Sequence, residues 1–223
     1  MTNSIHNKNL VAPKRFFKQR MDEIERKAQE RDRQVDRYAN RNARLLVRSE
    51  NADIPIIKAA LRKILPRGVV KQRVEEIVFT DETFEEFNKA LIPILTSRVK
   101  QRIFEQVIRN NREAAQGAWV AIQETLVEGV APAFPDYLDR KIFTFVNDAL
   151  EGYSANYVQR IRDSLRKLAD DGVVNPEDIA NSVISRHGSN KYIARTAART
   201  ITGSTFAITS NAAFLADPSV EWV

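Results

Sequence analysis

The chain has 223 residues, of which 43% are apolar and 29% are charged, with only 7 glycines and 8 prolines. This composition favours long, solvated helices over a β-rich fold. The absence of cysteine excludes disulfides, thiolate nucleophiles and Cys-based zinc sites. No apolar run approaches the roughly 20 residues that a membrane span needs, so we expect a soluble, cytoplasmic protein without a membrane partner.

The net charge of +6 is unevenly placed. Residues 1–50 hold 13 basic and 7 acidic residues, which accounts for the whole excess and leaves the rest of the chain neutral. A second asymmetry covers residues 179–216, which contain no Asp or Glu but do contain Arg and Lys. Local positive fields of this kind suit phosphate or an acidic partner surface.

Residues 1–13 are predicted to be a flexible arm, followed by a long helix with a narrow apolar seam of the a/d type. Two polar residues on the seam, Arg31 and Asn42, disfavour a simple dimeric coiled coil, although an Asn there can specify register. We expect this helix to pack in an assembly. The seam positions are Phe17, Met21, Ile24, Ala28, Arg31, Val35, Tyr38, Asn42 and Leu45.

In the middle of the chain, Asp53 is predicted to cap a new helix that has Pro55 in its first turn. A short helix is predicted over 69–78. Thr83 and Glu86 form a capping box, which predicts a helix to about Val127 that Pro93 kinks or splits.

Caps and breakers divide the last third into further helices. Ser154 is predicted to cap a helix that ends at Gly172, and the terminal "SVEWV" alternates as a strand does. The other helices are predicted over about 136–150, 175–187 and 190–213. The sequence therefore predicts an elongated all-α protein of long helices with a short terminal strand fragment. Its three segments are a basic arm and long helix (1–50), a helical middle region (51–135) and a helical C-terminal region (136–223).

No catalytic pattern stands out in the sequence. The two histidines, His6 and His187, have no Cys or second His near them, and no Gly-rich phosphate loop or metal-ligand motif occurs. We therefore expect a protein that is not an enzyme and has no catalytic residues, cofactor or metal.

Basic residues form three groups. The first is Lys14, Arg15, Lys18 and Arg20 around two Phe, which suits either a phosphate-tracking arm or a helix start whose aromatic side chains enter an interface. The second, on one predicted helix, contains Arg98, Lys100, Arg102, Arg109 and Arg112, and is typical of solvated surface. The third is a stripe of Lys191, Arg195 and Arg199, each four residues apart, which suits DNA or partner contact as well as plain surface.

The run "LADDGVVNPEDIANSVISRHGSNKYIARTAART", followed by a helix and "VEWV", resembles the C-terminal region of tailed-phage head morphogenesis proteins, the Mu-type minor head protein family. That family shows a helix, an Asp-Gly turn, a short helix and an "IARTE"-like helix that leads to a Trp-containing strand. Four stretches match in order, at 168–172, 178–184, 193–196 and 221–223, and the resemblance covers about 137–223.

Two departures from the family pattern accompany this resemblance. Ala197 stands where the family often has Glu, so any contact of that acid is missing or replaced. The family continues past the Trp strand, whereas this sequence stops at Val223. We therefore expect that the terminal strand begins a small subdomain, or pairs with another chain.

The resemblance implies a minor structural protein of a phage head, which forms in the host cytoplasm and then lies inside the virion head near the portal vertex. Its implied partners are the portal protein during procapsid assembly, non-specific double-stranded DNA, and the major capsid or scaffolding protein. The residues expected to contact DNA or a partner are Lys14, Arg15, Lys18, Arg20, Lys191, Arg195 and Arg199.

The alternative interpretation is a different class of protein, a free-standing helical nucleic-acid-binding regulator. The predicted helices 175–187 and 190–200 form a pair like a helix-turn-helix, which would read a major groove with sequence preference.

Overall fold

The computed structural model describes residues 11–64, 81–126, 133–170 and 191–216, and these ranges are all-α, as predicted. The predicted strand "SVEWV" and the predicted helices over 69–78 and 175–187 lie outside the described residues. The helices are α1 (Val11–Ile64), α2 (Asp81–Thr96), α3 (Arg98–Leu126), α4 (Asp136–Asp170) and α5 (Lys191–Leu215).

Helix α1 is continuous over 54 residues, so it is about 81 Å long. The prediction that Asp53 starts a new helix is wrong, because α1 passes through it and through Pro55. The Asp53 side chain is buried against α3 and does not cap a helix end. Pro55 and Asn51, four residues apart, both lie on the exposed face, where water can reach the carbonyl that proline leaves unpaired.

The break that separates α2 from α3 falls at Ser97. A split near Pro93 was predicted, and the structure places it four residues later, with Pro93 inside α2. The Ser97 hydroxyl accepts the backbone N–H of Lys100 at 3.1 Å. Ser97 is thus the N-cap of α3, a role that its sequence context alone did not reveal.

Helix α4 is also longer than predicted, with 35 residues and no break at Ser154. The predicted cap at Ser154 is therefore wrong, and this side chain is buried inside the helix. Tyr153 and Tyr157 on either side of it are buried too. Packing of these aromatic side chains outweighs the cost of about 1 kcal/mol that Gly152 imposes on a helix interior.

The helices α1, α3, α4 and α5 surround one central core. Asn42 and Asp53 of α1 meet Asn110 and Lys100 of α3, so the two helices are antiparallel. Helix α4 runs antiparallel to α3, since Arg112 binds Asp139 while Lys100 lies over Tyr157. The buried side chains of this core include Leu46, Val107, Trp119, Leu138, Ile142, Val146, Leu150, Ala194, Ala198 and Ile201.

A second cluster, the α2 core, joins α2 to the C-terminal parts of α1 and α4. Its fully buried members include Ile57 and Leu61 of α1, Phe87 and Leu91 of α2, and Ile161 of α4. The long helices α1 and α4 therefore contribute to both cores, and the described side chains of α2 contribute only to this one.

Helix α5 packs through a face of small residues. The buried positions include Ala194, Ala198, Thr202, Thr205 and Thr209. The hydroxyls of Thr205 and Thr209 donate to the carbonyls one turn earlier, at 2.9 Å each, which satisfies them inside the core. Small side chains let the helix axes approach closely, and this suits the position of α5 against both α1 and α3.

Part of the predicted seam of α1 packs against other helices of the same chain. Val35 and Tyr38 pack on the cluster formed by Ala114, Ala118 and Phe206. Asn42 is fully buried, where it accepts a hydrogen bond from Asn110 Nδ2 at 2.8 Å and donates to Thr202 Oγ1 at 3.2 Å. We call this contact between α1, α3 and α5 the Asn42 junction.

Replacing Asn42 with Ala should destabilise the protein by about 2–3 kcal/mol, because it leaves polar groups of Asn110 and Thr202 buried without their partner. The exposed Asn40, two residues away on α1, provides a matched control, and Asn40→Ala should leave stability within about 0.5 kcal/mol of the wild type. Urea unfolding measures both values. Equal stability of the two variants would contradict the role of the Asn42 junction.

Candidate nucleic-acid and partner interface

The N-terminal part of α1 lies on the surface. All described side chains between residues 18 and 33 are exposed, among them Lys18 and the seam residue Met21, which is 54% exposed. The predicted contact residues Lys14, Arg15 and Arg20 belong to the same helix, and their side chains lie outside the described part of the structure. This end of α1 thus presents Lys18 to solvent on a regular helix.

The predicted stripe on α5 is exposed over its whole length. Lys191, Arg195 and Arg199 all face solvent, while Ala194 and Ala198 on the opposite face enter the central core. Arg199 forms an ion pair with Asp36 of α1 at 3.2 Å. Both side chains of this pair are exposed, so it contributes little stability, but it partly neutralises one of the three cations.

The structure does not bring the two predicted basic groups together. Arg199 contacts α1 at Asp36, and Lys18 is eighteen residues before Asp36 on the same helix. At 1.5 Å per residue, Lys18 is about 27 Å from that contact along the helix axis. A partner that binds both groups must therefore be extended.

The third basic group, on α3, divides into surface and interior residues. Arg98, Arg102 and Arg109 are exposed, which agrees with the solvated surface predicted for that helix face. Arg112 binds Asp139 of α4 through Nε at 2.7 Å and through a second guanidinium nitrogen. Lys100 is only 3% exposed, so its place in a surface group is wrong.

A groove of about 560 Å³ opens between the N-terminal half of α1 and the C-terminal ends of α3 and α5. Its apolar lining includes Ala28 of the α1 seam and Phe206 and Phe214 of α5. Charged side chains also line it, namely Lys27, Glu30, Arg31 and Glu124. An apolar floor with charges of both signs is a surface suited to a protein partner.

Between the central core and the α2 core lies a group of polar side chains, all buried except the partly exposed Arg160, which we call the polar layer. It consists of Glu50 and Asp53 of α1, Lys100 of α3, and Tyr153, Tyr157 and Arg160 of α4. Lys100 Nζ lies 3.0 Å from Asp53 Oδ2, and both side chains are almost completely buried. The Tyr153 hydroxyl donates to Glu50 Oε1, and Arg160 lies 3.9 Å from the same oxygen.

The Tyr157 ring holds the two cations of the polar layer in place. The Lys100 ammonium lies 5.5 Å from the ring centroid and the Arg160 guanidinium lies 5.8 Å from it. Both distances are within the range of a cation–π contact. The aromatic ring, two carboxyls and two cations therefore form one cluster with balanced formal charge.

Burial perturbs the acids of the polar layer. It raises the pKa of the Glu50 carboxyl above its ordinary 4.5, against the hydrogen bond from Tyr153 and the charge of Arg160. It also raises the pKa of the Asp53 carboxyl above its ordinary 3.8, against the attraction of Lys100. Burial, followed by the charges of Asp53 and Glu50, raises the pKa of the Tyr157 hydroxyl, so this group stays protonated at neutral pH.

The polar layer was not predicted from the sequence, although two spacings point to it. Glu50 and Asp53 are three residues apart on the face of α1 that also carries Leu46 and Ile57. Tyr153 and Tyr157 are four apart on α4 and hence share a face. Their convergence with Lys100 depends on the packing of three helices.

Comparison with protein-family models, with curated proteins and with solved structures finds no match to this chain. Among the described residues, no helix is both long and apolar enough to span a bilayer, and no three His, Asp or Glu side chains form a group that could hold a metal ion. The basic residues of α1 and α5 stay predicted contact residues.

Glu50 should make stability depend on pH in a direction opposite to that of a surface carboxylate. Because burial raises the folded-state pKa of the Glu50 carboxyl, its contribution to the free energy of unfolding is fully present below about pH 4.5. This contribution is lost as the pH rises through the raised pKa. Glu50→Gln removes this titration, so the stability of wild type relative to the variant should fall with rising pH. Urea unfolding at several pH values measures this difference.

The matched control for Glu50→Gln is Glu105→Gln, which replaces an exposed carboxyl on α3. A wild-type stability that rises with pH relative to Glu50→Gln would contradict the assignment, as would parallel pH profiles of the two proteins.

Lys100→Met should cost about 3–5 kcal/mol of stability, because it leaves the Asp53 carboxyl buried without its partner. The double variant Asp53→Leu with Lys100→Met removes both charges and should recover most of that loss. Lys89→Met, at an exposed position of α2, controls for the change of residue type. If the double variant is as unstable as the single one, the ion pair is not the cause of the loss.

Proposed function

We propose that this chain is a structural protein of a tailed-phage head that binds the portal protein during procapsid assembly and contacts packaged DNA without sequence preference. Two lines support this proposal. One is the resemblance of residues 137–223 to the minor head proteins. The other, which carries the DNA contact, is the exposed N-terminal part of α1 with the basic group that includes Lys18.

The position of α1 suits phosphate binding. Lys14, Arg15, Lys18 and Arg20 fall within two turns of one helix, in the segment of residues 1–50 that carries the whole net charge. Cations that release counterions from DNA give affinity without sequence information. Such contacts need an accessible surface, and the described side chains of this part of α1 provide one.

The stripe on α5 is a second surface for the same ligand. Lys191 and Arg195 are exposed, and no ion pair joins them to another described residue. Tyr192, which is 78% exposed, lies beside them and offers an aromatic face. Because the α1 and α5 groups are separated, a long polyanion such as duplex DNA fits both better than a small ligand does.

The portal contact is assigned in this proposal to the groove between α1, α3 and α5. Partly exposed apolar groups such as Phe214, which is 43% exposed, form its floor and edge. Apolar contacts of this type are suited to a protein partner, whereas the phosphate backbone calls for cations. The proposal thus separates a DNA surface from a protein surface.

The DNA contact predicts salt-sensitive binding to duplexes of any sequence. If about five phosphates are neutralised, log Kd should change with log salt concentration by a slope of magnitude about 4–5. Replacing Lys14, Arg15, Lys18 and Arg20 with Ala should reduce that magnitude by about 3–4, because four contacts are removed. Fluorescence anisotropy with random-sequence duplexes measures the slopes.

The control replaces the exposed Arg98, Arg102 and Arg109 of α3 with Ala, which removes surface cations outside the proposed interface. A four-residue α1 variant with an unchanged slope would show that α1 is not the DNA surface. Binding that strongly prefers one duplex would instead favour the nucleic-acid-binding regulator. Co-expression with the portal protein tests the remaining part, and failure to co-purify with portal rings would count against the head-assembly role.

A further inference from the structure

Several buried polar atoms of the polar layer lack a hydrogen-bond partner among the described residues. They are Glu50 Oε2, Asp53 Oδ1, Tyr157 Oη and Arg160 Nε, together with Ser154 Oγ on the same turn of α4. Buried polar groups are nearly always satisfied in folded proteins, by protein atoms or by ordered water. Several such atoms in one cluster therefore call for a common explanation.

The side chains that carry the free atoms contact one another through Lys100, Arg160 and the Tyr157 ring. Asp53 Oδ2 and the Tyr157 ring both contact the Lys100 ammonium, at 3.0 Å and at 5.5 Å from the ring centroid. Arg160 lies close to both the Tyr157 ring and Glu50 Oε1. Tyr157 is only 1% exposed, so its hydroxyl has no access to bulk solvent.

The charges decide which ligand fits. Lys100 and Arg160 balance Glu50 and Asp53, so a metal cation would add an uncompensated charge in a buried place, and an anion would meet two carboxyls. The free atoms include acceptors on the carboxyls, a donor on Arg160 and a hydroxyl that can do both. A small neutral molecule with donors and acceptors satisfies this set.

We propose that the polar layer is an internal water site, in which ordered water accepts the Tyr157 hydroxyl proton and donates to the free oxygens of Asp53 and Glu50. Buried waters of this kind make about three hydrogen bonds each, and they are costly to remove. The water completes the polar layer and allows a charged cluster to lie between two apolar cores. This site is independent of any role of the chain in a phage head.

Tyr157→Phe tests the proposal, since it removes the hydroxyl and keeps the ring under Lys100 and Arg160. With water bound, the variant loses a satisfied hydrogen bond, and the melting temperature should fall by about 2–4 °C. Without water, the hydroxyl is an unsatisfied buried group, and its removal should raise the melting temperature. An unchanged or raised melting temperature therefore overturns the proposal.

Two further tyrosines calibrate the measurement. Tyr137→Phe, at a position that is 56% exposed, should leave the melting temperature unchanged. Tyr153→Phe removes a hydroxyl that donates directly to Glu50, so its melting temperature should also fall. A crystal structure of the wild type should show a water about 2.7–3.2 Å from both Tyr157 Oη and Asp53 Oδ1. A crystal structure in which no water contacts either atom would also overturn the proposal.

Discussion

The buried ion pair between Asp53 and Lys100 is the constraint that ties α1 to the start of α3. It is almost fully buried, and it joins the C-terminal part of α1 to the first turn of α3. A buried pair gains little over an apolar one of the same shape, but a buried charge without its partner is strongly unfavourable. Packings that separate these two side chains are thus disfavoured, and the start of α3 is held against α1.

A second polar contact fixes the same two helices further along. The Asn42 junction lies eleven residues before Asp53 on α1, and Asn110 lies ten residues after Lys100 on α3. Because these two spans are nearly equal, both contacts form in the same antiparallel pairing of α1 and α3. A shift of one helix along the other would break both contacts. Apolar residues such as Leu46 and Val107 fill the space between them, and they tolerate small shifts far better than hydrogen bonds do.

Local sequence signals predicted the helical class of the protein but misplaced the helix boundaries expected at Asp53, Pro93 and Ser154. Helix α5 was predicted over about 190–213 and is observed over Lys191–Leu215, since its ends depend on nearby residues. Asp53 and Ser154 are typical capping residues, and both lie inside helices. Their neighbours Ile57 and Tyr157 are buried by distant helices, and this long-range packing outweighs the local preference for a cap.

Long-range packing also decides the environment of the basic residues, which local sequence signals do not predict. The sequence places five basic residues on one helix, and the spacing puts Arg98, Arg102 and Arg109 on roughly one face of it. In the folded protein Lys100 forms an ion pair with Asp53, and Arg112 forms one with Asp139. The other three, Arg98, Arg102 and Arg109, stay on the surface. Charge patterning therefore predicts an exposed cationic surface only where no other helix covers the basic face, as is the case for Lys18 on α1 and for Lys191 and Arg195 on α5.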